Sequence, residues 1–492
     1  MLFCCPSFAQ DASPDMERNI GINSTPDEGV EDVSDDLGND FNDDSEDDLH
    51  GLGDDFGDDA TDDIIYEAAD DSFGADDAFY EEPSPVSING HLAFESSYNY
   101  AHRKPAPGET DWRGLSKLRS EFQLEIDVTI SKSWQMFVSG DFFNDFAYTI
   151  NGREDYTDDV LDTYQQQNEI RKAYVQGRLL KSLDIKVGRQ IIVWGRSDNI
   201  RVTDVLNPLD LREPGLTDIE DLRMPVTMTR VDFYRGDWNI TGVAVHEQRT
   251  NKDPAYGSDF YPLPLLYGPI PYEKPASDLE NTGFAAAVNG IFTGWDVSFY
   301  YAYLYSNEAH AEIDLTPAPL PVLRYADITM AGTACNLTTG DWLFKGEAAY
   351  FTGIRFSDAT GTFNTNTYSR IDVLGGVEYM GIDETTLSLD FMNSHCTDFD
   401  DAAELMGAEE HGFQTAARIT RDFMNETLSL TLLGSVYGAG DDGAFGRFTA
   451  EYDAADNLEI IGGVVIYASG DLPSFQYIGN NDRIYGTVKY SF

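Results

Sequence analysis

Residues 117–131, KLRSEFQLEIDVTIS, alternate between apolar and polar side chains for almost their whole length. Lys, Arg, Glu, Gln, Asp and Thr occupy the odd positions, and the even positions hold the apolar residues Leu118, Phe122, Leu124, Ile126, Val128 and Ile130. A period of two predicts a β-strand with one apolar and one polar face. The stretch is much longer than the five or six residues of an average strand in a soluble domain.

The same pattern recurs along the rest of the chain. Apolar residues occupy alternate positions in 134–142, 295–305, 342–350 and 428–436, often with aromatic residues at the ends. Long strands of this kind are typical of a transmembrane barrel, with apolar side chains toward lipid and polar side chains toward the lumen. Apolar runs of the roughly 18 residues that a membrane-spanning helix requires are absent from the sequence, so any membrane location rests on strands.

The connections between the candidate strands alternate in length. Short linkers such as 235–237 and 293–294 alternate with long ones such as 194–222 and 248–279. This arrangement predicts an all-β fold, a transmembrane antiparallel outer-membrane β-barrel of about 18 strands, with 16 as the alternative. Short turns of such barrels lie in the periplasm, so an even strand count places both barrel ends there.

An acidic segment precedes the barrel. The chain has 87 acidic and 32 basic residues, a formal charge of −55, which argues against nucleic acid as a partner. Residues 1–86 hold 21 Asp and 7 Glu but one base, Arg18. We expect 1–9 to be the remnant of a signal peptide, 10–86 a disordered periplasmic segment, and 87–492 the barrel. Repeats such as DDLG and DDFG within 10–86 suit a weak multivalent ligand for a periplasmic partner.

The C-terminal stretch 483–492, RIYGTVKYSF, alternates in the same way and ends on an aromatic residue. It resembles the signature by which bacterial outer-membrane barrels are recognised for insertion. We therefore expect Tyr490 and Phe492 to form an insertion signal, with the barrel-insertion machinery and outer-membrane lipid as partners.

The block 187–210, VGRQIIVWGRSDNIRVTDVLNPLD, resembles a family of proteobacterial outer-membrane proteins of unknown function. The matching residues are Gly188, Gln190, Trp194, Gly195, Asp198, Asn207, Pro208 and Asp210. The resemblance implies a porin-like barrel that works with an inner-membrane exporter of lipids or hydrophobic compounds. The long acidic N-terminal segment is a departure from most members.

The loop 194–222 is rich in charged and turn-forming residues. One interpretation is an in-folded segment that constricts the lumen, and the other is a set of residues that cap strands and pair with each other on the rim. The lumen or constriction candidates are Trp194, Arg196, Asp198, Arg201, Asp204, Asn207, Asp210 and Arg212.

The sequence predicts no enzyme, no catalytic residues, no cofactor and no metal site. His395 and Cys396 are adjacent on a strand and should point to opposite faces, which argues against Cys-His catalysis. Cys335 and Cys396 should lie at opposite rims as free thiols. Carboxylates in 393–404 and 153–162 form only weak candidate cation sites.

Two functional hypotheses follow from these patterns. The first is a porin-like channel or exit port, with an apolar or lipid-like compound as its candidate cargo. The alternative is an outer-membrane anchor without an open pore, whose acidic segment recruits a periplasmic partner. Uniformly apolar outward faces favour a monomer, with a trimer as the alternative.

Overall fold

The computed structural model of the protein describes residues 84–262, 268–314, 320–357 and 365–492. The expected signal remnant and almost all of the expected disordered segment therefore lie outside the described residues. Within the described ranges, no helix is long and apolar enough to cross a membrane.

Strands account for most of the described chain. Their bounds are β1 Val86–Asn99, β2 Gly114–Ser131, β3 Trp134–Asp145, β4 Gln166–Leu180, β5 Leu183–Gln190, β6 Val226–Arg235, β7 Trp238–Val245, β8 Gly283–Phe292, β9 Trp295–Tyr305, β10 His310–Asp314, β11 Leu320–Arg324, β12 Asp327–Thr339, β13 Trp342–Ile354, β14 Tyr368–Ile382, β15 Thr385–Cys396, β16 His411–Phe423, β17 Leu428–Tyr437, β18 Gly443–Ala455, β19 Leu458–Ala468 and β20 Arg483–Ser491. Short α-helices lie in the loops: α1 Ala147–Asn151, α2 Asp158–Val160, α3 Ile219–Leu222 and α4 Asp401–Leu405.

Eighteen of the strands close into one antiparallel barrel. Each pairs with its chain neighbours, and β9 pairs with β12 because β10 and β11 form a separate hairpin. The last strand, β20, pairs with β1 from Asn99 opposite Arg483 to His91 opposite Ser491. Closure leaves this 18-stranded sheet without a free edge in the part of the chain that the structure describes. The predicted fold class is confirmed, with 18 strands rather than the alternative 16.

The connections alternate in length around the barrel. Two-residue turns such as 181–182 and 236–237 are followed at the other end by long loops such as 191–225 and 246–282. The first strand begins and the last strand ends on the side of the short turns. The predicted alternation of short turns and long loops is therefore present in the structure.

The outward face of the barrel is apolar and exposed. In β9, Phe299, Tyr301 and Tyr303 are 51%, 51% and 46% exposed, whereas Ser298 and Ala302, which point inward, are fully buried. Large apolar side chains exposed in a continuous band suit contact with lipid rather than water. The period-two alternation in the sequence therefore indicates which face of each strand contacts lipid.

The inward face combines polar residues with an apolar cluster. Inward residues of β6–β9 and β12–β16, such as Met228, Ala302 and Met330, form a buried apolar cluster with Ile200 and Val202 of the loop 191–225. Many inward positions are small, including alanines, which leaves room for the loop. The inner wall on this side is therefore mixed: inward positions such as Glu347 and Asp390 are polar, and the apolar positions between them are covered by protein rather than water.

Candidate functional site

The loop 191–225, hereafter the crossing loop, connects β5 to β6 and folds into the barrel. Its first half contacts inward side chains of β9, β13 and β15. Its tip, residues 213–218, contacts inward side chains of β2, β16, β18 and β19. These two sets of strands lie in different arcs of the wall, so the crossing loop spans the lumen.

Glu347 on β13 anchors the start of the crossing loop. Its side chain is buried, and its Oε1 accepts hydrogen bonds from the backbone N–H of Arg196 (2.6 Å) and Ser197 (3.1 Å). Its Oε2 accepts from the backbone N–H and the hydroxyl of Thr203, at 3.1 and 2.8 Å. A single carboxylate thus satisfies donors from two separate points of the loop, which fixes the bend between them.

Gly195 explains how the loop approaches this carboxylate so closely. Its φ is +96°, in the left-handed region that glycine tolerates. A Cβ at this position would lie 3.0 Å from Glu347 Oε1. The glycine of the Trp-Gly pair in the sequence motif is therefore required for steric reasons.

Two further wall carboxylates hold the same segment. The Arg196 guanidinium donates to Asp296 Oδ1 (2.8 Å) and to the Ser298 hydroxyl (2.8 Å), both on β9. Asp390 on β15 accepts from the Ser197 hydroxyl and from the Asn199 side-chain amide, each at 2.9 Å. These polar contacts surround a buried apolar core and give the segment one defined position.

Trp194 and Asn207 stabilise the base of the crossing loop. The Trp194 ring stacks on Tyr300 with centroids 4.7 Å apart. Asn207 is fully buried; its Oδ1 accepts from the Ile192 N–H at 2.9 Å, and its Nδ2 donates to the Met224 carbonyl at 2.8 Å. Because Ile192 and Met224 lie at opposite ends of the loop, Asn207 joins its two arms.

An internal ion-pair cluster tightens the loop beside this base. Asp204 is buried and pairs with Arg201 at 3.0 Å and with Arg223 at 2.8 Å. Arg201 also donates to the carbonyl of Asn207 at 2.9 Å. The cluster is local to the loop, and its two arginines and one aspartate leave a net charge of +1 there.

Asp210 and Arg212 form a second local pair. The guanidinium donates to both carboxylate oxygens at 2.7 and 2.5 Å, and to the Thr163 carbonyl at 2.8 Å. Burial raises the pKa of Asp210, but the hydrogen bonds and charge of Arg212 outweigh burial and lower the pKa below its usual value.

The tip is fastened to the far wall. Glu213 pairs with Lys117 of β2 at 2.6 Å, and the Tyr467 hydroxyl donates to the Pro214 carbonyl at 2.6 Å. Asp218 pairs with Arg418 of β16 at 3.3 Å and with Arg447 of β18. Burial raises the pKa of Glu213, but Lys117 and Arg119 outweigh it and lower the pKa to about 2.

A second long loop, 246–282, supports the first. The Lys252 N–H donates to the Leu209 carbonyl at 2.9 Å, and the Leu211 N–H donates to the Lys252 carbonyl at 2.8 Å. Asp259 pairs with Arg483 of β20 at 2.8 Å, and the Arg483 guanidinium lies over the Phe260 ring. The second loop thus contacts both the crossing loop and β20.

The eight candidate residues on the crossing loop thus divide into three roles. Arg196 and Asp198 reach the barrel wall, the latter through Lys345 at 2.8 Å. Arg201 pairs with Asp204, and Asp210 pairs with Arg212. Trp194 and Asn207 are buried supports. Among the candidate side chains that form ion pairs, that of Asp198 is the most exposed, at 64%.

The wall residues that hold the loop were not singled out from the sequence as anchors. Glu347, Asp390 and Arg447 act through partners about 150 to 230 positions away. Strand alternation identifies Glu347 as inward-facing, but periodicity contains no information on which loop residue meets it.

A cavity lies between the crossing loop and the wall. Apolar residues of the loop and of β12–β18 supply most of its lining, among them Ile200, Val202, Leu211, Ile219, Phe351 and Leu433. Most of the charged residues that also line it are neutralised, because Arg201 pairs with Asp204, Asp218 with Arg447, and Arg355 with Glu312. It extends toward the long-loop end at 306–310.

The region around Cys396 has a structural role. Cys396 is buried whereas exposed Phe391 lies on the opposite face, and the thiols of Cys335 and Cys396 are both free, as predicted. The carboxylates proposed from sequence as weak cation ligands are used locally: Asp398 accepts from the Ser369 N–H, and Asp400 accepts from the Ala403 N–H at the start of α4.

The C-terminal residue completes the barrel seam. Phe492 donates to the Gly90 carbonyl at 2.9 Å and accepts from the Gly90 N–H at 3.1 Å, and its ring stacks on Phe122. Recognition of Tyr490 and Phe492 during insertion stays a prediction.

Several solved barrels share this architecture. Acinetobacter baumannii OccAB3 is 12% identical and aligns over 83% of this chain and 99% of its own, with a TM-score of 0.51. The outer membrane protein opdK of Pseudomonas aeruginosa (10% identical, 82% and 99% covered, TM-score 0.46) and a BenF-like porin of Pseudomonas fluorescens Pf-5 (9%, 83% and 97%, TM-score 0.47) are more distant. The likeness to OccAB3 shows a shared barrel fold.

Sequence comparison gives the family. No curated protein matches this sequence. The model of a family described as protein of unknown function (DUF1302) matches residues 108–492, which include the crossing loop and β2 to β20. This chain is a member of the DUF1302 family.

Proposed function

We propose that this protein is a porin-like channel of the bacterial outer membrane whose crossing loop restricts passage to apolar compounds. The observation that carries the proposal is the apolar cavity between the crossing loop and the inner wall of a closed barrel. A closed barrel with an apolar outer face is one of the two structures that satisfy every backbone polar group in lipid.

The chemistry of the cavity favours an apolar cargo over an ion. An ion that left water for this lining would lose its hydration, and charges that line the cavity are already paired. An apolar molecule loses no such hydration and gains contact with Ile200, Phe351 and Leu433. The passage therefore discriminates by polarity rather than by charge sign.

The orientation of the barrel is part of the proposal. Short turns in the periplasm and long loops outside are supported by the alternation of connection lengths. The N-terminal acidic segment would then enter the periplasm, where an exporter component is a fitting partner for a channel with apolar cargo.

A permeation experiment tests the proposed function. Purified barrel is reconstituted into planar bilayers and into vesicles loaded with an apolar dye or with a small sugar. The wild type should release the dye faster than empty vesicles do, with small ionic conductance and little sugar release. Dye release no faster than from empty vesicles would contradict an apolar passage, and an ohmic conductance with free sugar release would indicate an open general pore.

A further inference from the structure

Two histidines face each other on the outer surface of the barrel. His395 near the end of β15 lies directly opposite His411 at the start of β16. The Cys396 N–H donates to the Glu410 carbonyl at 2.9 Å, so 396 and 410 form a hydrogen-bonded pair and 395 and 411 the adjacent non-hydrogen-bonded pair. Side chains of non-hydrogen-bonded pairs approach each other most closely.

The imidazole rings are already aligned. Their centroids are 4.5 Å apart and their planes are 17° from parallel. Glu410 lies beside them, and one donor atom from each of the three residues falls within 4.8 Å of the others. Two ring nitrogens and a carboxylate oxygen at this spacing need only side-chain rotation to converge on one ion.

The pair differs from the other histidines that the structure describes. Each of those has a polar side-chain partner: His91 with Glu121, His102 with Asn481, His246 with Thr229, and His310 with Glu312. His395 Nδ1, by contrast, is buried and makes no hydrogen bond within the described residues. Such an atom is costly unless a ligand satisfies the ring.

The surroundings of the two histidines are acidic and therefore attract cations. The connecting loop 397–410 contains six acidic residues and no basic one. The histidines lie at the loop end of an outward aromatic column that includes Phe413 and Phe391. They are therefore at the edge of the apolar band, within reach of water, with a negative field around them.

We propose that His395, His411 and Glu410 bind a divalent transition-metal ion such as Zn²⁺ on the outer face at the long-loop end of the barrel. Two imidazoles with one carboxylate form a set that suits Zn²⁺ and leaves a fourth position open. Ca²⁺ and Mg²⁺ prefer all-oxygen sets, for which a single glutamate is insufficient. The site is separate from the lumen and does not depend on the proposed channel function.

Zn²⁺ binding to the folded full-length protein in detergent tests the proposal. Calorimetric titration is done in a large excess of Mg²⁺, which occupies the many carboxylates of this acidic chain. The wild type should show one zinc site, and His395→Asn or His411→Asn should weaken it by roughly 100-fold. Glu410→Gln should weaken it less, and Glu409→Gln, the matched control in the same loop, should bind as the wild type does.

A spectroscopic measurement on the wild type makes the result independent of variant folding. In ¹⁵N-histidine NMR, Zn²⁺ should shift the imidazole signals of two of the seven histidines. The proposal is overturned if no histidine signal responds, or if the double variant His395→Asn/His411→Asn binds Zn²⁺ as tightly as the wild type.

Discussion

At the scale of single residues, buried carboxylates on the barrel wall determine the shape of the lumen. Glu347, Asp390 and Asp296 accept hydrogen bonds from one short segment of the crossing loop. Charge-assisted hydrogen bonds in a buried place are strong, and a lost acceptor leaves donors unsatisfied. A few side chains therefore hold a loop of 35 residues, 191–225, across the lumen.

Replacement of Glu347 should release the start of the crossing loop. In Glu347→Gln an amide nitrogen replaces one carboxylate oxygen and faces N–H groups that need an acceptor. The free energy of unfolding should therefore fall by about 2–4 kcal/mol. Urea titration of the barrel in lipid vesicles measures this. Glu451→Gln on β18, inward-facing but exposed, is the control and should unfold like the wild type. An equal loss in both variants would show that Glu347 has no special role.

Asp253 should make stability depend on pH near neutrality. Burial, and then the charge of Glu308, raise its pKa to about 7. Between about pH 4, near the unfolded pKa, and about pH 7 the folded state holds a proton that the unfolded state has lost, so stability falls as pH rises through this window.

Asp253→Asn tests this dependence. The variant should unfold at a higher urea concentration than the wild type above pH 7, and the difference should vanish below about pH 3, where both states of the wild type are protonated. Asp237→Asn in an exposed turn is the control. A constant difference at every pH would contradict the assigned cause.

At the scale of elements, strands could be predicted from the sequence and the course of the crossing loop could not. The strand at residues 117–131 is visible in the sequence as alternating polar and apolar residues, because lipid contacts every second side chain. The Asn-Pro turn and the charges of 194–222 indicated an ordered loop. Its attachment to Glu347 and Arg447 depends on contacts between residues distant in the chain, which no local pattern encodes.

The tip of the crossing loop should act as a latch. Asp218→Asn removes the charge that pairs with Arg418 and Arg447. If this costs about 1.4 kcal/mol, the population with a detached tip rises roughly tenfold. Single-channel recordings should then show more frequent openings than in the wild type. Glu220→Gln, in the adjacent α3, is the matched control; identical records for both variants would contradict a latch at Asp218.

At the scale of the whole molecule, the two faces of the barrel have different surroundings. The outer face meets lipid, while much of the inner face is covered by the crossing loop. An arginine at the middle of an outward face should therefore be costly, and one near the strand end much less so.

Leu432 and Val436 on β17 make this comparison within one strand. Both are exposed, at 52% and 37%, and both face outward. Leu432→Arg should reduce the free energy of folding into vesicles by about 2–4 kcal/mol, and Val436→Arg by about 0–1 kcal/mol. Equal costs, measured by urea titration, would argue that β17 does not cross a bilayer in this register.

The most direct test of the central claim compares the wild type with a barrel whose crossing-loop residues 196–222 are replaced by a short glycine-serine linker. If the crossing loop restricts an otherwise continuous lumen, the variant should show a large, steady ionic conductance in planar bilayers and should release sugar from vesicles. The wild type should do neither. Equal conductance of the two folded proteins would contradict the claim that the crossing loop controls passage.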